Sequence, residues 1–468
     1  MSQHVMPTAP VRDISRSSHS RLSSRWYLDT FRSLRHRNYR LYFCGQFVSV
    51  TGSWAQSAAL TWLAYELTHE SIWPSLVGAM QVLPTFVLGV WSGSLADRWP
   101  KRPLIFLAQA ILLLLAVLLG VLVLSGRVTS PWPLLAVAIA AGIVNAIDLP
   151  ARLAFVIDMV GRDDLPNAIA LNSLLFNTAR AVGPAVSAVM FYLAGRGETG
   201  QTAAGVCFLL NGLSFVAVLL ALAWMDLPAP LQQPTLPRGV SRRGGSGSLW
   251  AGFRYLGQHP PLILLLVLSG AMSLFGWPIL SLLPAVADQR LGASTGGYAW
   301  MLSAIGGGAL IASLLVASFN ALVRNRWFLA GGVSLSATAL VGLATARSLP
   351  LAVGCCVVVG CGLILFFPTS QAIMQLSSDD HIRGRVMGIW SMILSGAHPL
   401  GHLLAGRAAD RWLDQCSLDD MLMRLLAVQP GERCGVPLVL ALMGLGIAGA
   451  AAVVLVLALT WRGRRKAR

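Results

Sequence analysis

From residue 41 onward the chain alternates between apolar stretches and short polar breaks, and a bilayer core about 30 Å thick requires roughly 20 apolar residues per helical crossing. Each stretch therefore predicts a spanning helix. Twelve are predicted, at 41–65, 74–96, 103–125, 132–149, 168–194, 204–225, 260–287, 297–319, 327–346, 351–376, 385–409 and 436–461. The break at 226–259 differs in kind from the others: it holds Pro228, Pro230, Pro234, Pro237 and the small-residue run Gly244 to Ser248. That is linker composition. It divides the chain into a polar tail (1–40), a six-helix half (41–225), the linker, a second six-helix half (260–461) and a short basic end (462–468).

The halves share a faint pattern. Pro150 and Pro184 lie 34 residues apart with Asp163-Asp164 between them, and Pro368 and Pro399 lie 31 apart with Asp379-Asp380 between them. Two related six-helix halves are a known transporter design.

Composition narrows the class. Of the 468 residues 55% are hydrophobic and 12% charged, which excludes an ordinary soluble domain, a coiled coil and a disordered chain. The formal net charge of +16 would suggest nucleic acid in a soluble protein. Here its distribution explains it. With the N-terminus placed in the cytoplasm, alternate loops and both tails collect 26 of the 35 Lys and Arg, the opposite loops collect eight, and Arg180 falls inside a helix. This is the positive-inside bias. It predicts a multi-pass membrane protein with both termini cytoplasmic, and it needs no nucleic-acid partner. The first 40 residues carry eight Arg and no apolar h-region, so they do not form a secretory signal.

Several chemistries are missing from the sequence. The only lysines are Lys101 and Lys466, and neither follows a glycine as a phosphate-binding loop demands. No zinc helix or C-x-x-C pair is present and nothing reads as a nucleophile elbow, so neither an enzyme nor a bound cofactor is expected. Uphill movement of a solute would require an ion gradient.

Gly93-Ser94-Leu95-Ala96-Asp97-Arg98-Trp99-Pro100-Lys101-Arg102 closes the second helix. The run resembles motif A of the major facilitator superfamily, with Pro100 in place of the usual second glycine. Asn145 to Arg152, the block Asn172 to Pro184, and Phe31-Arg32-Ser33-Leu34-Arg35 leading into Gly52-Ser53-Trp54 extend the likeness. So, more weakly, does Arg383-Gly384-Arg385-Val386-Met387. Together they resemble the branch containing the enterobactin exporter and macrolide-efflux transporters. The resemblance implies twelve helices around a central cavity worked by alternating access. It implies a gate in which Asp97 locks one state against helix eleven and relays through Lys101 to an acid on helix four, matched by position to Asp148, with Gly93, Arg98 and Arg102 shaping the turn. Gly183-Pro184 resembles the core of the antiporter motif in helix five.

Polar residues inside apolar spans mark pathways or helix contacts. Arg180 shares a helical face with Asn177 and Pro184. It either pairs with helix-end carbonyls and Asn side chains or anchors an anionic substrate group or a coupled acid. Gln46, Ser49, Ser53 and Gln56 form a stripe on the first helix, read as facing a water-filled path or a neighbouring helix. Trp54 and Asn145 are weaker pathway candidates. His398 and His402 stand one turn apart, and His titrates near neutrality; without further ligands they do not make a metal site. Cys416 and Cys434 lie in the longest outer loop and are disulfide candidates. The expectation is an exporter of a siderophore or similar amphipathic molecule, coupled to protons. The alternatives are a multidrug or macrolide pump and, from another class, a membrane sensor or scaffold.

Overall fold

The computed structural model describes residues 31–466 apart from 162, 195–199, 227–248, 294, 319–324, 380–381 and 413–433. Of 89–98, 194, 249, 295, 317–318, 325, 411–412 and 460–466 it describes the backbone alone. After a short 3-10 turn the first half runs α1 (Arg37–Glu66), α2 (Ile72–Arg98), α3 (Lys101–Leu124), α4 (Trp132–Val160), α5 (Leu165–Ala194) and α6 (Gly200–Ala223). The second half runs α7 (Leu249–Gln258), α8 (Pro260–Gly276), α9 (Ile279–Ala285), α10 (Thr295–Ser318), α11 (Asn325–Thr345), α12 (Leu349–Leu376), α13 (Arg383–Arg407) and α14 (Gly435–Lys466). π-turns at Val286–Arg290 and Ala408–Trp412 follow α9 and α13. No strand occurs among the described residues.

Four differences from the sequence expectation have physical causes. The stretch 260–287 is not one helix: it breaks after Gly276, where Trp277-Pro278 intervenes and Pro278 has no N–H to donate. The helix expected to stop at 149 runs through Pro150 to Val160, because Ala151, Phe155, Val156, Met159 and Val160 are all buried and repay the missing backbone bond. It stops at Gly161, whose φ of 74° is a left-handed setting that favours glycine. The expected linker ends in the amphipathic helix α7, whose Leu256 packs against α13 and α8. Finally, α1 begins at Arg37 and α14 reaches Lys466, each several residues beyond its predicted apolar limit.

Nine helical spans among the described residues are long and apolar enough to cross a membrane. Neither α1 nor α13 is among them, and these two carry the polar positions Gln46, Ser49, Ser53, Gln56 and Ser391, Ser395, His398, His402. Small residues let the remaining helices touch backbone to backbone. A methyl group at Gly360 of α12 would strike Ile305 O of α10, and one at Gly308 of α10 would strike Val357 O of α12.

The side on which α1 begins is called here the proximal end, and the other the distal end. At the distal end one continuous core joins the halves, with Leu63, Tyr65 and Val77 from the first and Met272, Ile279 and Tyr298 from the second. At the proximal end each half keeps its own cluster, around Tyr39, Ile105 and Phe155 in one and Leu256, Met374 and Val386 in the other. The molecule is therefore sealed distally.

Candidate functional site: a cavity between the halves

Trp54 of α1 and Trp277, in the break between α8 and α9, face each other across the boundary, with the Arg180 guanidinium of α5 between them. Its carbon lies 4.9 Å from one ring centroid and 5.4 Å from the other. Arg180 Nε is buried with no hydrogen-bond partner, and no carboxylate pairs with this side chain among the described residues. Gly183 holds the geometry: a methyl there would lie against Trp54 Cβ and 2.7 Å from Thr51 O, so glycine brings α5 onto α1. The cavity around Arg180 has a volume of about 350 Å³ and is also lined by Gln81, Ser273, Ser395 and His398.

His398 stacks on Trp277 with centroids 5.5 Å apart and planes inclined by 6°. A chain of polar contacts runs from it toward the distal end. His398 Nε2 is 2.9 Å from His402 Nε2, and His402 Nδ1 is 2.8 Å from Ser281 Oγ. Ser281 donates its own hydroxyl proton to Pro278 O and accepts from Ser75 Oγ of α2. Hence His402 donates from Nδ1 and accepts at Nε2, and His398 donates. In this arrangement the pair holds at most one extra proton. Gly78 makes room, since a methyl there would lie 3.1 Å from the His402 ring.

A second, polar chamber of about 200 Å³ lies inside the first half and shares Trp54, Ser57 and Gln81 with the cavity as lining residues. The first-helix stripe faces this chamber and its neighbours. Ser49, Ser53 and Gln56 line it, and Gln56 Oε1 accepts from Asn211 of α6 at 2.8 Å. Gln46 Oε1 accepts from Arg152 at 3.0 Å. Asn145 and Asp148 line the same chamber. Asp148 is fully buried, 2.9 Å from Arg152 Nε and bonded to Gln109 Nε2 at 2.9 Å.

The gating residues divide. Gly93, Asp97 and Arg98 lie outside the residues whose side chains are described. Lys101 does not reach Asp148; it pairs with Asp158, 2.8 Å away and ten residues further along α4. Ten residues of helix are about 15 Å, so Asp148 sits three turns too deep. Arg102 donates to Ala223 O at the end of α6, 3.1 Å. Asn177 shares a face with Arg180 but bonds Ser173 O on its own helix. Pro184 is buried within α5. Cys434 is disulfide-bonded, five other cysteines are free, and Cys416 lies outside the described residues.

At the distal end the halves are tied by polar contacts. Tyr65 OH donates to Asp288 Oδ2 at 2.9 Å and accepts from Gln289 at 3.0 Å. Asp410, in the π-turn beyond α13, accepts from the backbone N–H groups of Ser71 and Ile72 at 2.8 and 2.7 Å. Burial pushes the Asp410 carboxyl above the usual carboxylate range; those N–H groups pull it back, and Glu70 raises it further.

Trp277, Arg152, Asp158 and Asp410 were not singled out from the sequence. The Gly276-Trp277-Pro278 run inside an apolar stretch was the available signal for the first.

A helical bundle closing on a polar cavity is the architecture of a membrane transporter, and solved transporters share this fold. A bacterial homologue of the human lysosomal transporter Spinster, inward-facing and occupied, superposes with a TM-score of 0.67 at 14% identity, covering 91% of this chain and 97% of that one. The nucleoside transporter NupG gives 0.63, also at 14%. Within the major facilitator superfamily, residues 28–437 match the transmembrane secretion effector family, and the chain belongs to it. Its curated relatives include the staphyloferrin A transporter of Staphylococcus aureus, 25% identical over 79% of this chain and 89% of the relative. The multidrug efflux pump Tap of Mycobacterium tuberculosis is 26% identical over 78% and 85%. Macrolide efflux protein A of Streptococcus pyogenes is 22% identical over 81% and 91%.

Proposed function

We propose that the protein exports a siderophore or a similar amphipathic, anionic small molecule across the bacterial inner membrane, with the proximal end and both termini in the cytoplasm. The halves 41–225 and 260–461 alternate about the cavity, joined by the 226–259 connection. The observation that carries this reading is Arg180, a buried cation held between two indoles with no acidic partner among the described residues. A carboxylate or catecholate supplies the missing charge, and the indole faces accept its apolar body. The likeness to a staphyloferrin A transporter supports the same substrate class. The second reading, multidrug efflux, draws on the Tap and macrolide-pump relatives.

Metabolite profiling of cells and medium, with and without the gene under iron limitation, separates them. Intracellular build-up of an iron-chelating metabolite in the deletion strain is the expected result. Unchanged chelator levels with altered drug susceptibility would favour the multidrug pump.

Coupling to protons is assigned to the His398–His402 pair, whose hydrogen-bonded chain joins the cavity to the distal seal. Replacing either His by Ala is expected to abolish pH-driven exchange in proteoliposomes while counterflow of substrate without a gradient persists. Unchanged pH-driven exchange in both variants removes the pair from consideration.

A further inference from the structure

The heptapeptide that closes α2, Gly93-Ser94-Leu95-Ala96-Asp97-Arg98-Trp99, returns almost unchanged at the end of α13 as Gly406-Arg407-Ala408-Ala409-Asp410-Arg411-Trp412. Five of the seven positions are identical, in register: Gly, Ala, Asp, Arg and Trp. The helices that carry them are partners. α2 runs from the distal to the proximal end, α13 runs the other way, and the two pack along each other across the boundary between the halves. The two copies therefore stand at opposite ends of one antiparallel pair.

The distal copy is seen at work. A methyl group at Gly406 would press on Ser75 Oγ and lie 2.9 Å from Ser71 O, so this glycine brings the end of α13 onto the first turn of α2. Asp410 then places one carboxylate oxygen on the N–H of Ser71 and the other on that of Ile72. These are N–H groups at a helix start, which have no partner within the helix, and the positive end of the helix dipole favours an anion there. The two ends of this contact belong to different halves. It can persist only while the distal end is closed, as it is here.

We propose that Asp410 is a distal latch, the counterpart of the lock that the motif A likeness assigns to Asp97 at the proximal end. Each helix of the α2–α13 pair ends in a closely similar heptapeptide; Asp410 caps the first turn of α2, and the motif A likeness gives Asp97 the matching part toward α13. Asp410 holds the state sealed distally, and Asp97 holds the state sealed proximally. The transporter carries two closely similar latch sequences, and the balance between its two states is set by the difference between the two contacts.

Hydrogen–deuterium exchange on the full chain in lipid nanodiscs tests this without any substrate, so it stands apart from the siderophore reading. Asp410→Asn is expected to speed exchange severalfold in the first turn of α2 and at the distal ends of α9 and α13, and to slow it at the proximal ends of α2 and α13. Asp97→Asn is expected to shift the same peptides in the opposite sense. Asp410→Ala, which unlike Asn keeps no capping oxygen, is expected to shift the same peptides further, and Asp410→Ser serves if the Asn variant does not fold. Unchanged distal exchange in the Asp410 variants overturns the proposal. So does faster exchange at both ends, the mark of a cap that only stabilises, or a shift of the same sign for Asp97→Asn and Asp410→Asn.

Discussion

Arg180→Gln is expected to weaken binding of an anionic aromatic ligand by about thirtyfold to a few thousandfold, since removing one partner of a buried charge pair costs some 2–5 kcal/mol and each 1.4 kcal/mol is tenfold. Calorimetric titration of the purified protein with 2,3-dihydroxybenzoate, against benzamide as the uncharged control, measures it. The control is expected to bind both proteins alike. Arg180→Lys keeps the charge but loses the flat guanidinium that lies between Trp54 and Trp277, so it is expected to recover only part of the loss. Equal binding by wild type and Arg180→Gln would leave Arg180 with a packing role alone.

A second large effect concerns stability. Asp148 is fully buried and is matched by Arg152 and Gln109. Arg152→Met strands that carboxylate and is expected to cost about 3–5 kcal/mol, the usual penalty for breaking a buried ion pair from one side. Adding Asp148→Asn removes the stranded charge and is expected to restore most of the loss. Thermal unfolding of the three variants in detergent shows whether this holds. A double variant no more stable than Arg152→Met would mean that the arginine acts through its packing and its bond to Gln46, not through Asp148.

Much of the fold was legible because the bilayer imposes a strict length and apolarity on each crossing. The expected division into halves rests on the central break, whose composition is unlike any other. Arg180 was legible for the same reason in reverse, as a charge where the solvent forbids one. Partnerships were not legible. The motif likeness matched Lys101 with Asp148, whereas depth along α4 selects Asp158. Periodicity put Gln46, Ser49, Ser53 and Gln56 on one face of the first helix, but a face does not say which cavity it meets, and most of them line the chamber within the first half. Trp277 owes its position to a helix break that the unbroken apolar run concealed. The capping of α2 by Asp410 joins residues more than 330 positions apart, a relation that no local pattern encodes.

The distal core has a thermal consequence. Parting Tyr65 and Val77 from Met272, Ile279 and Tyr298 brings water onto apolar surface, and such exposure raises the heat capacity. The equilibrium between the two ends of the transport cycle is then curved in temperature. Apolar burial weakens on cooling, so a cold cell holds this seam less firmly than a warm one.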